Sequence, residues 1–114
     1  MEKFLRGDGE GMELLREQYA DAELREIEES GVGIFFTYNV TTKKKFKNNF
    51  ELGDVGVKVD GFEDEIGAII FVRDGVLEML ELHSYSDEWP SIIDKICVYY
   101  LNDKRDLTLI NSAV

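Results

Sequence analysis

Residues 66–85 read IGAIIFVRDGVLEMLELHSY, and this stretch decides the fold. Asp74-Gly75 is the dipeptide that a two-residue type I′ turn prefers, because both residues of that turn adopt positive φ. The flanking segments 66–73 and 76–85 are rich in β-branched and other apolar residues, so they predict a β-hairpin. Both faces of the hairpin are mainly apolar, which predicts a central position in the sheet with a helix over one face.

The register of this hairpin places one acidic residue in an unusual position. With a regular two-residue turn, Ala68 pairs with Glu81 and Ile66 pairs with His83, the only histidine in the chain. Glu81 then points to the apolar face beside an imidazole. A buried carboxylate next to a histidine can act as a general acid/base pair, since burial raises the carboxyl pKa. The alternative is a structural glutamate that hydrogen-bonds the backbone or a tyrosine.

The N-terminal part of the chain predicts a helix after an irregular start. Residues 1–9 contain two glycines, Gly7 and Gly9, and are expected to form a loose segment, with Asp8 as a plausible helix N-cap. Apolar residues recur at helical spacing from Glu10 to about Ala20, and acidic residues lead the segment, where the helix dipole favours them. This pattern predicts a helix over 10–20.

Residues 22–29 fit two structures. They can extend the helix, with Gly31 as its C-terminal stop, because Leu24 and Ile27 are three residues apart. They can also form a strand that pairs with 34–40 across a short glycine-containing connection. We favour the strand.

The remaining elements complete a single α+β domain over residues 1–114. A short helical turn is expected at 91–95, and further strands are expected at 54–60, 96–101 and, as a final edge strand, 107–110. The sum is an antiparallel sheet of about six strands, built as a meander with hairpins and packed with one or two helices.

Composition limits the function classes. The 114 residues carry a formal net charge of −11, which repels nucleic acid and anionic lipid and attracts basic proteins. No apolar run is long enough for a membrane helix, and Cys97 is the only cysteine, expected as a small core residue, so disulfides are excluded. These features, with no export signal, predict a cytoplasmic protein. Neither a nucleotide-binding glycine motif nor a metal-ligand pattern is present, so no cofactor and no metal are expected.

The only basic block is 43–47, KKKFK. It could contact phosphate, with Phe46 as a stacking platform. A solvated loop or a counter-patch for the acidic surface is the interpretation we favour.

Three ordered motifs between residues 31 and 90 resemble those of a family of small uncharacterised bacterial proteins. The family patterns are TGVGFFT, FELGDV and FVRDG…MLE…EWP, and the matching segments here are Gly31–Tyr38, Asn49–Val55, Phe71–Gly75, Met79–Glu81 and Asp87–Pro90. This sequence departs from the pattern at Leu82, where the family has a glycine. The resemblance implies no known activity; some similar small acidic proteins are thought to be immunity proteins beside bacterial toxins.

These observations leave three hypotheses for function. The first is a non-catalytic, immunity-like domain that binds a basic protein through residues around an acidic segment, namely Tyr85, Asp87, Glu88 and Trp89. Trp89 is either an exposed anchor for that partner or folds back over the end of the sheet, which is the alternative we favour. The second is a small enzyme or ligand-binding domain that uses Glu81 and His83. The third is a homo-oligomer formed through the final edge strand. An enzyme is the less favoured class.

Overall fold

The computed structural model describes residues 1–86, 88–90 and 95–114. Six antiparallel strands form one sheet in the order β1-β2-β5-β4-β3-β6. The strands are β1 Glu23–Glu29, β2 Gly33–Asn39, β3 Phe50–Val59, β4 Ile66–Arg73, β5 Val76–Ser84 and β6 Ile96–Tyr100, and the helices are α1 Glu2–Leu5, α2 Glu10–Ala20 and α3 Thr108–Ser112. The α+β class, the six-stranded antiparallel sheet and the strand at 22–29 are therefore confirmed.

The central hairpin turns at Asp74-Gly75, as the sequence predicts. Their φ angles are 54° and 81°, both in the left-handed region that a type I′ turn requires. Arg73 pairs with Val76 as expected, but from Phe71 onward the pairing is displaced by one residue. The extra residue is Glu78, which forms a β-bulge.

The bulge reverses the predicted orientation of the second half of β5. Glu81 pairs with Ile69 instead of Ala68, and His83 pairs with Gly67 instead of Ile66. A shift of one residue moves a side chain to the opposite face of a sheet. The prediction that Glu81 points to the apolar core was therefore wrong. The physical reason is that the bulge lets the leucines of β5, rather than its glutamates, face the core.

One face of the sheet, which we call the covered face, packs against the three helices. The side chains at its centre are fully buried: Ile70, Val72 and Leu77 have no exposed surface. The helices contribute buried apolar side chains to the same core, namely Phe4, Met12, Leu14, Leu15 and Ile110. Each fully buried side chain of this size contributes about 1.5–3 kcal/mol, so this layer supplies most of the hydrophobic stabilisation.

Two predictions for the chain termini were wrong. Residues 1–9 are not a loose segment throughout, because α1 forms at Glu2–Leu5 and buries Phe4 in the core. The predicted final strand 107–110 is instead part of α3 and the turn before it, and Ile110 is buried. Apolar burial against α2 and β3 outweighs the strand-like alternation of this segment.

The start of α2 is capped by a distant residue. Asp8 is not the N-cap, since Gly9 occupies that position and makes no side-chain cap bond. Asn111 Oδ1 accepts hydrogen bonds from Gly11 N at 2.8 Å and Met12 N at 3.3 Å. These two amides are among the donors that a helix start leaves unpaired. The cap thus ties α2 to α3.

A buried glutamine fixes α2 to the central hairpin. Gln18 is fully buried; its Nε2 donates to Gly75 O at 2.9 Å and its Oε1 accepts from Leu77 N at 2.9 Å. The backbone amide of Phe46, in the loop after β2, donates a hydrogen bond to the same Gly75 O. Phe46 is itself only 4% exposed, so it is a core residue and not the stacking platform considered above.

An arginine near the C-terminus fixes α1 to the sheet. Arg105 forms a bidentate ion pair with Asp54, at 2.6 Å and 3.0 Å, and both side chains are largely buried. Its Nη1 also donates to backbone carbonyls at Lys3, Phe4 and Arg6. Asp54 occupies a bulge in β3, a strand that begins at Phe50, four residues before the predicted start.

Candidate partner-binding face

The second face of the sheet carries no helix in the part of the chain that the structure describes, and we call it the uncovered face. Its centre consists of four half-buried apolar side chains, Phe35, Ile69, Phe71 and Met79. Cross-strand pairing places them side by side, because Glu81 lies between Phe35 and Ile69, and Met79 lies between Thr37 and Phe71. Apolar side chains grouped on a sheet face without cover are typical of a contact surface.

Glutamates surround this apolar centre. On the β1 side, Glu26 pairs with Thr37 and Glu28 pairs with Phe35, and both glutamates are exposed. Glu78, at the bulge, is exposed next to Met79. On the β3 side, Glu51 pairs with Phe71, although its charge is balanced by Arg73 at 2.9 Å. The surface is therefore acidic toward β1 and close to neutral toward β3.

The two candidate catalytic residues lie together on the uncovered face. His83 Nδ1 is 3.5 Å from Glu81 Oε1, and the side chains are 28% and 23% exposed. The pair is therefore accessible to solvent. His83 Nδ1 is itself shielded from solvent and has no hydrogen-bond partner within the described chain. The two side chains are therefore close together but not hydrogen-bonded, whereas a general acid/base must come within hydrogen-bond distance of the group with which it exchanges a proton.

The Glu81–His83 pair lies outside three surface cavities of the described chain. Three cavities of about 610, 690 and 230 Å³ lie beside β6, beside α3, and between α1 and the covered face. Neither Glu81 nor His83 lines any of them. Enzyme sites are usually concave and bury most of their ligand, and none of these three cavities provides such a site for the pair.

The predicted partner-binding residues separate into two groups. Tyr85 is 61% exposed and its ring makes an edge-to-face contact with His83, with 5.2 Å between the centroids. Glu88 is also exposed, whereas Trp89 is half-buried and packs against the hydrophobic core. Trp89 thus folds back over the sheet, the alternative that we favoured. Asp87 and residues 91–94, including most of the predicted helical turn, lie outside the described residues.

A third aromatic side chain completes this end of the uncovered face. Tyr99, on β6, has a hydroxyl that is shielded from solvent and makes no hydrogen bond of normal geometry. Burial, followed by the neighbouring Glu65 carboxylate, raises the pKa of Tyr99 above its ordinary value of 10.0. Cys97, two residues earlier, is exposed, so the prediction that it is a core residue was wrong. The reason is that β6 is an edge strand whose uncovered side has no layer above it.

Sequence reasoning missed most of the uncovered face. Phe35, Ile69 and Phe71 were assigned to strands, but their common orientation depends on the bulge at Glu78. A signal was present in the order Leu80, Glu81, Leu82, His83, where apolar and polar residues alternate. That alternation places the leucines inward and the other two residues outward.

The described residues show neither a metal-binding cluster nor a membrane-spanning helix. Among residues 1–86, 88–90 and 95–114, no group of three or more His, Cys, Asp or Glu side chains is arranged to hold a metal ion. The same residues include no helix with the length and hydrophobicity that a membrane crossing requires. Comparisons with protein-family models, curated proteins and solved structures found no match to this chain.

Proposed function

We propose that this chain is a non-catalytic binding domain that holds a basic protein partner against the uncovered face of its sheet. The observation that carries the proposal is the combination of a half-buried apolar centre with exposed glutamates beside it. Buried apolar contacts supply affinity in protein interfaces, and charges at the rim supply specificity and fast association. Phe35 and Met79 would lie at the centre of the contact, and Glu26 and Glu28 at its rim.

The charge of the whole molecule supports a cationic partner. The formal net charge of −11 creates a long-range field that attracts basic proteins and disfavours nucleic acid and anionic membranes. Association should therefore weaken as salt rises, because the Debye length falls to about 8 Å at physiological ionic strength.

The motif resemblance between residues 31 and 90 supports a specific biological role for such a binding domain. We extend the proposal to a bacterial immunity-like protein that neutralises a basic toxin in the cytoplasm. Tyr85 and Glu88, both exposed, remain candidate contacts at the edge of the face. Neither Glu81 nor His83 lines one of the three cavities described above, which favours binding over catalysis.

The experiment uses two double variants that change the charge equally on opposite layers of the molecule. Glu26→Lys with Glu28→Lys alters the uncovered face, and Glu13→Lys with Glu17→Lys alters the exposed side of α2. Each Glu→Lys change adds two charges, so both double variants move the formal net charge from −11 to −7. Wild type and variants are immobilised and exposed to lysate of the source cell at low ionic strength, and affinities for retained proteins are then measured.

We expect a cationic protein to be retained by the wild type and by the α2 variant. The β1 variant should bind it at least roughly tenfold more weakly, which corresponds to about 1.4 kcal/mol. Equal weakening in both variants would indicate a non-specific charge effect and contradict the proposal. So would the retention of no cationic protein by the wild type.

A second candidate is a small enzyme that works through Glu81 and His83. It is favoured by one observation, the 3.5 Å approach of the two side chains on an accessible surface. It is tested with chromogenic ester, phosphate and glycoside substrates. Turnover that disappears in Glu81→Gln while the variant remains folded would support it; no turnover by the wild type would remove its basis.

The homo-oligomer hypothesis now depends on different strands, because the segment 107–110 that was to mediate it is not a strand. The edge strands of the sheet are β1 and β6. The strand β1 contains four glutamates and one arginine, so pairing with a second copy would bring like charges together. Light scattering at high concentration should give the mass of a monomer, and a dimer mass would restore the hypothesis.

A further inference from the structure

The uncovered face ends in a group of three rings, His83, Tyr85 and Tyr99, which we call the aromatic cluster. The rings lie over bare backbone: His83 pairs with Gly67, Gly67 pairs with Gly56, and Gly56 pairs with Tyr99. Because glycine has no side chain, the neighbouring rings can tilt across these positions. The cluster therefore brings side chains from β5, β6 and the loop after β5 to one place.

Two of the rings converge on a single point above Gly67. A Cβ atom added to Gly67 would lie 2.7 Å from both His83 Nε2 and Tyr85 Oη. A Cβ atom on Gly56 would lie 2.8 Å from Tyr99 Oη. Facing Cβ positions in a sheet are about 5.5 Å apart or less, so the two hydroxyls lie within roughly 11 Å of each other. The two hydroxyls therefore belong to one patch of the uncovered face.

The charged neighbours of the cluster's polar atoms are carboxylates. Tyr99 Oη and His83 Nδ1 are both shielded from solvent and without a partner in the described chain. Each has a carboxylate nearby, Glu65 beside Tyr99 and Glu81 beside His83. A hydroxyl oxygen and a neutral imidazole nitrogen can both accept hydrogen bonds, as carboxylates do. The cluster thus presents acceptors and aromatic rings, a combination that suits a cation and not an anion.

We propose that the aromatic cluster is the seat of an arginine side chain of the basic partner, an inference that rests on the proposed function. Guanidinium is planar, donates five N–H groups and accepts none, and stacks on aromatic faces. It would stack on the exposed ring of Tyr85, and the carboxylates of Glu65 and Glu81 would accept its N–H groups and neutralise its charge. The chain itself shows the same chemistry twice among its described residues: Arg105 lies 4.8 Å from the centroid of the Tyr100 ring, and Arg73 lies 5.3 Å from that of Phe71.

The test separates this site from general attraction to an acidic surface. The ¹⁵N-labelled full chain is titrated with the peptide acetyl-Gly-Arg-Gly-amide and, as a neutral isostere, with its citrulline counterpart. We expect the arginine peptide to shift the amide resonances of Gly56, Gly67 and Tyr85 first. The citrulline peptide should bind at least roughly tenfold more weakly, since it loses the charge. Equal binding of the two peptides would overturn the proposal.

A pair of glycine variants provides the matched control. In Gly67→Ala the added methyl group would displace the His83 and Tyr85 rings, and we expect binding to weaken about tenfold. In Gly53→Ala the nearest atom is Ile69 Cγ1 at 3.2 Å, away from the cluster, and binding should be unchanged. Should Gly67→Ala fail to fold, Tyr85→Leu replaces it, since that side chain is 61% exposed. Equal binding by Tyr85→Leu and wild type would contradict the assignment.

The failure of this inference can be distinguished from the failure of the proposed function. If the arginine peptide does not bind at the cluster, but the Glu26→Lys, Glu28→Lys variant still loses its cationic partner, only the arginine site is wrong. If that variant retains full affinity for the partner, the docking face itself is wrong.

Discussion

The two faces of the sheet differ in how their polar groups are satisfied. On the covered face, Gln18 and Arg105 each make several hydrogen bonds to backbone or side-chain partners that are distant in sequence. On the uncovered face, His83 and Tyr99 each keep a shielded polar atom without a partner. Buried polar groups in native proteins are nearly always paired, so an unpaired one indicates that something else completes it. The covered face therefore explains the fold, and the uncovered face is the side to which we propose that a partner binds.

The largest difference between the faces is expected for two adjacent isoleucines of β4. Ile70 has no exposed surface on the covered face, whereas Ile69 is half-buried on the other. Ile70→Ala should lower the free energy of unfolding by about 4 kcal/mol through lost burial and a cavity, and Ile69→Ala by only about 1 kcal/mol. Urea denaturation measures both. Equal losses would mean that the uncovered face is buried in solution, for example in a dimer.

A second comparison concerns two ion pairs. Arg105–Asp54 belongs to the covered side, with side chains 10% and 17% exposed, and Arg73–Glu51 to the uncovered face, with side chains 36% and 55% exposed. Arg105→Ala leaves a mostly buried carboxylate unpaired and should cost about 3 kcal/mol. Arg73→Ala should cost less than about 1 kcal/mol, because solvent screens the pair. Thermal and urea denaturation check both values, and a reversed order would refute this assignment of roles.

The glutamine that holds the hairpin turn provides a third test of the covered side. Gln18→Leu keeps the volume but removes the acceptor of Leu77 N and the donor to Gly75 O. We expect a loss of about 2 kcal/mol in unfolding free energy, since buried backbone groups are left unpaired. Thr41→Val, which removes an exposed hydrogen bond to Asp21, is the control and should change stability by less than about 0.5 kcal/mol. A loss of unfolding free energy in Gln18→Leu no larger than in the control would show that the Gln18 hydrogen bonds do not stabilise the fold.

The smallest effect is a pH dependence at Tyr99. Its pKa is raised above 10.0, chiefly by burial, so the folded state holds this proton more tightly than the unfolded state. The stabilisation is complete below the unfolded pKa of about 10 and is lost as the pH rises through the higher folded pKa. Unfolding free energies measured between pH 9 and 11 should fall less steeply in Tyr99→Phe than in the wild type. An unchanged slope would mean that the hydroxyl is freely solvated.

The sequence predicted those parts of the fold that depend on neighbouring residues. The hairpin followed from Asp74-Gly75, and the helix at 10–20 from its periodicity, because both signals are local. The strand at 23–29 was correctly preferred for its short glycine connection.

The errors arose where distant contacts override local preference. The segment 107–110 alternates as a strand does, yet it becomes helical where Ile110 is buried against other elements. Asn111 caps a helix 100 residues earlier, which no local pattern indicates. The bulge at Glu78 depends on which leucines the core accepts, and the placement of Glu81 and His83 depended on that bulge. The sequence placed Glu81 beside His83, and the structure brings the two side chains together, but on the uncovered face and not in the core.

Hydroxyl-radical footprinting of the complex with the captured basic protein tests directly whether the partner binds to the uncovered face. We expect the partner to lower the oxidation of Phe35, Met79 and Tyr85 on the uncovered face. Oxidation of Leu109, which is 59% exposed on α3, should not change. Protection of Leu109 with unchanged oxidation of Phe35 and Met79 would place the partner on the helical layer and contradict the proposed binding to the uncovered face.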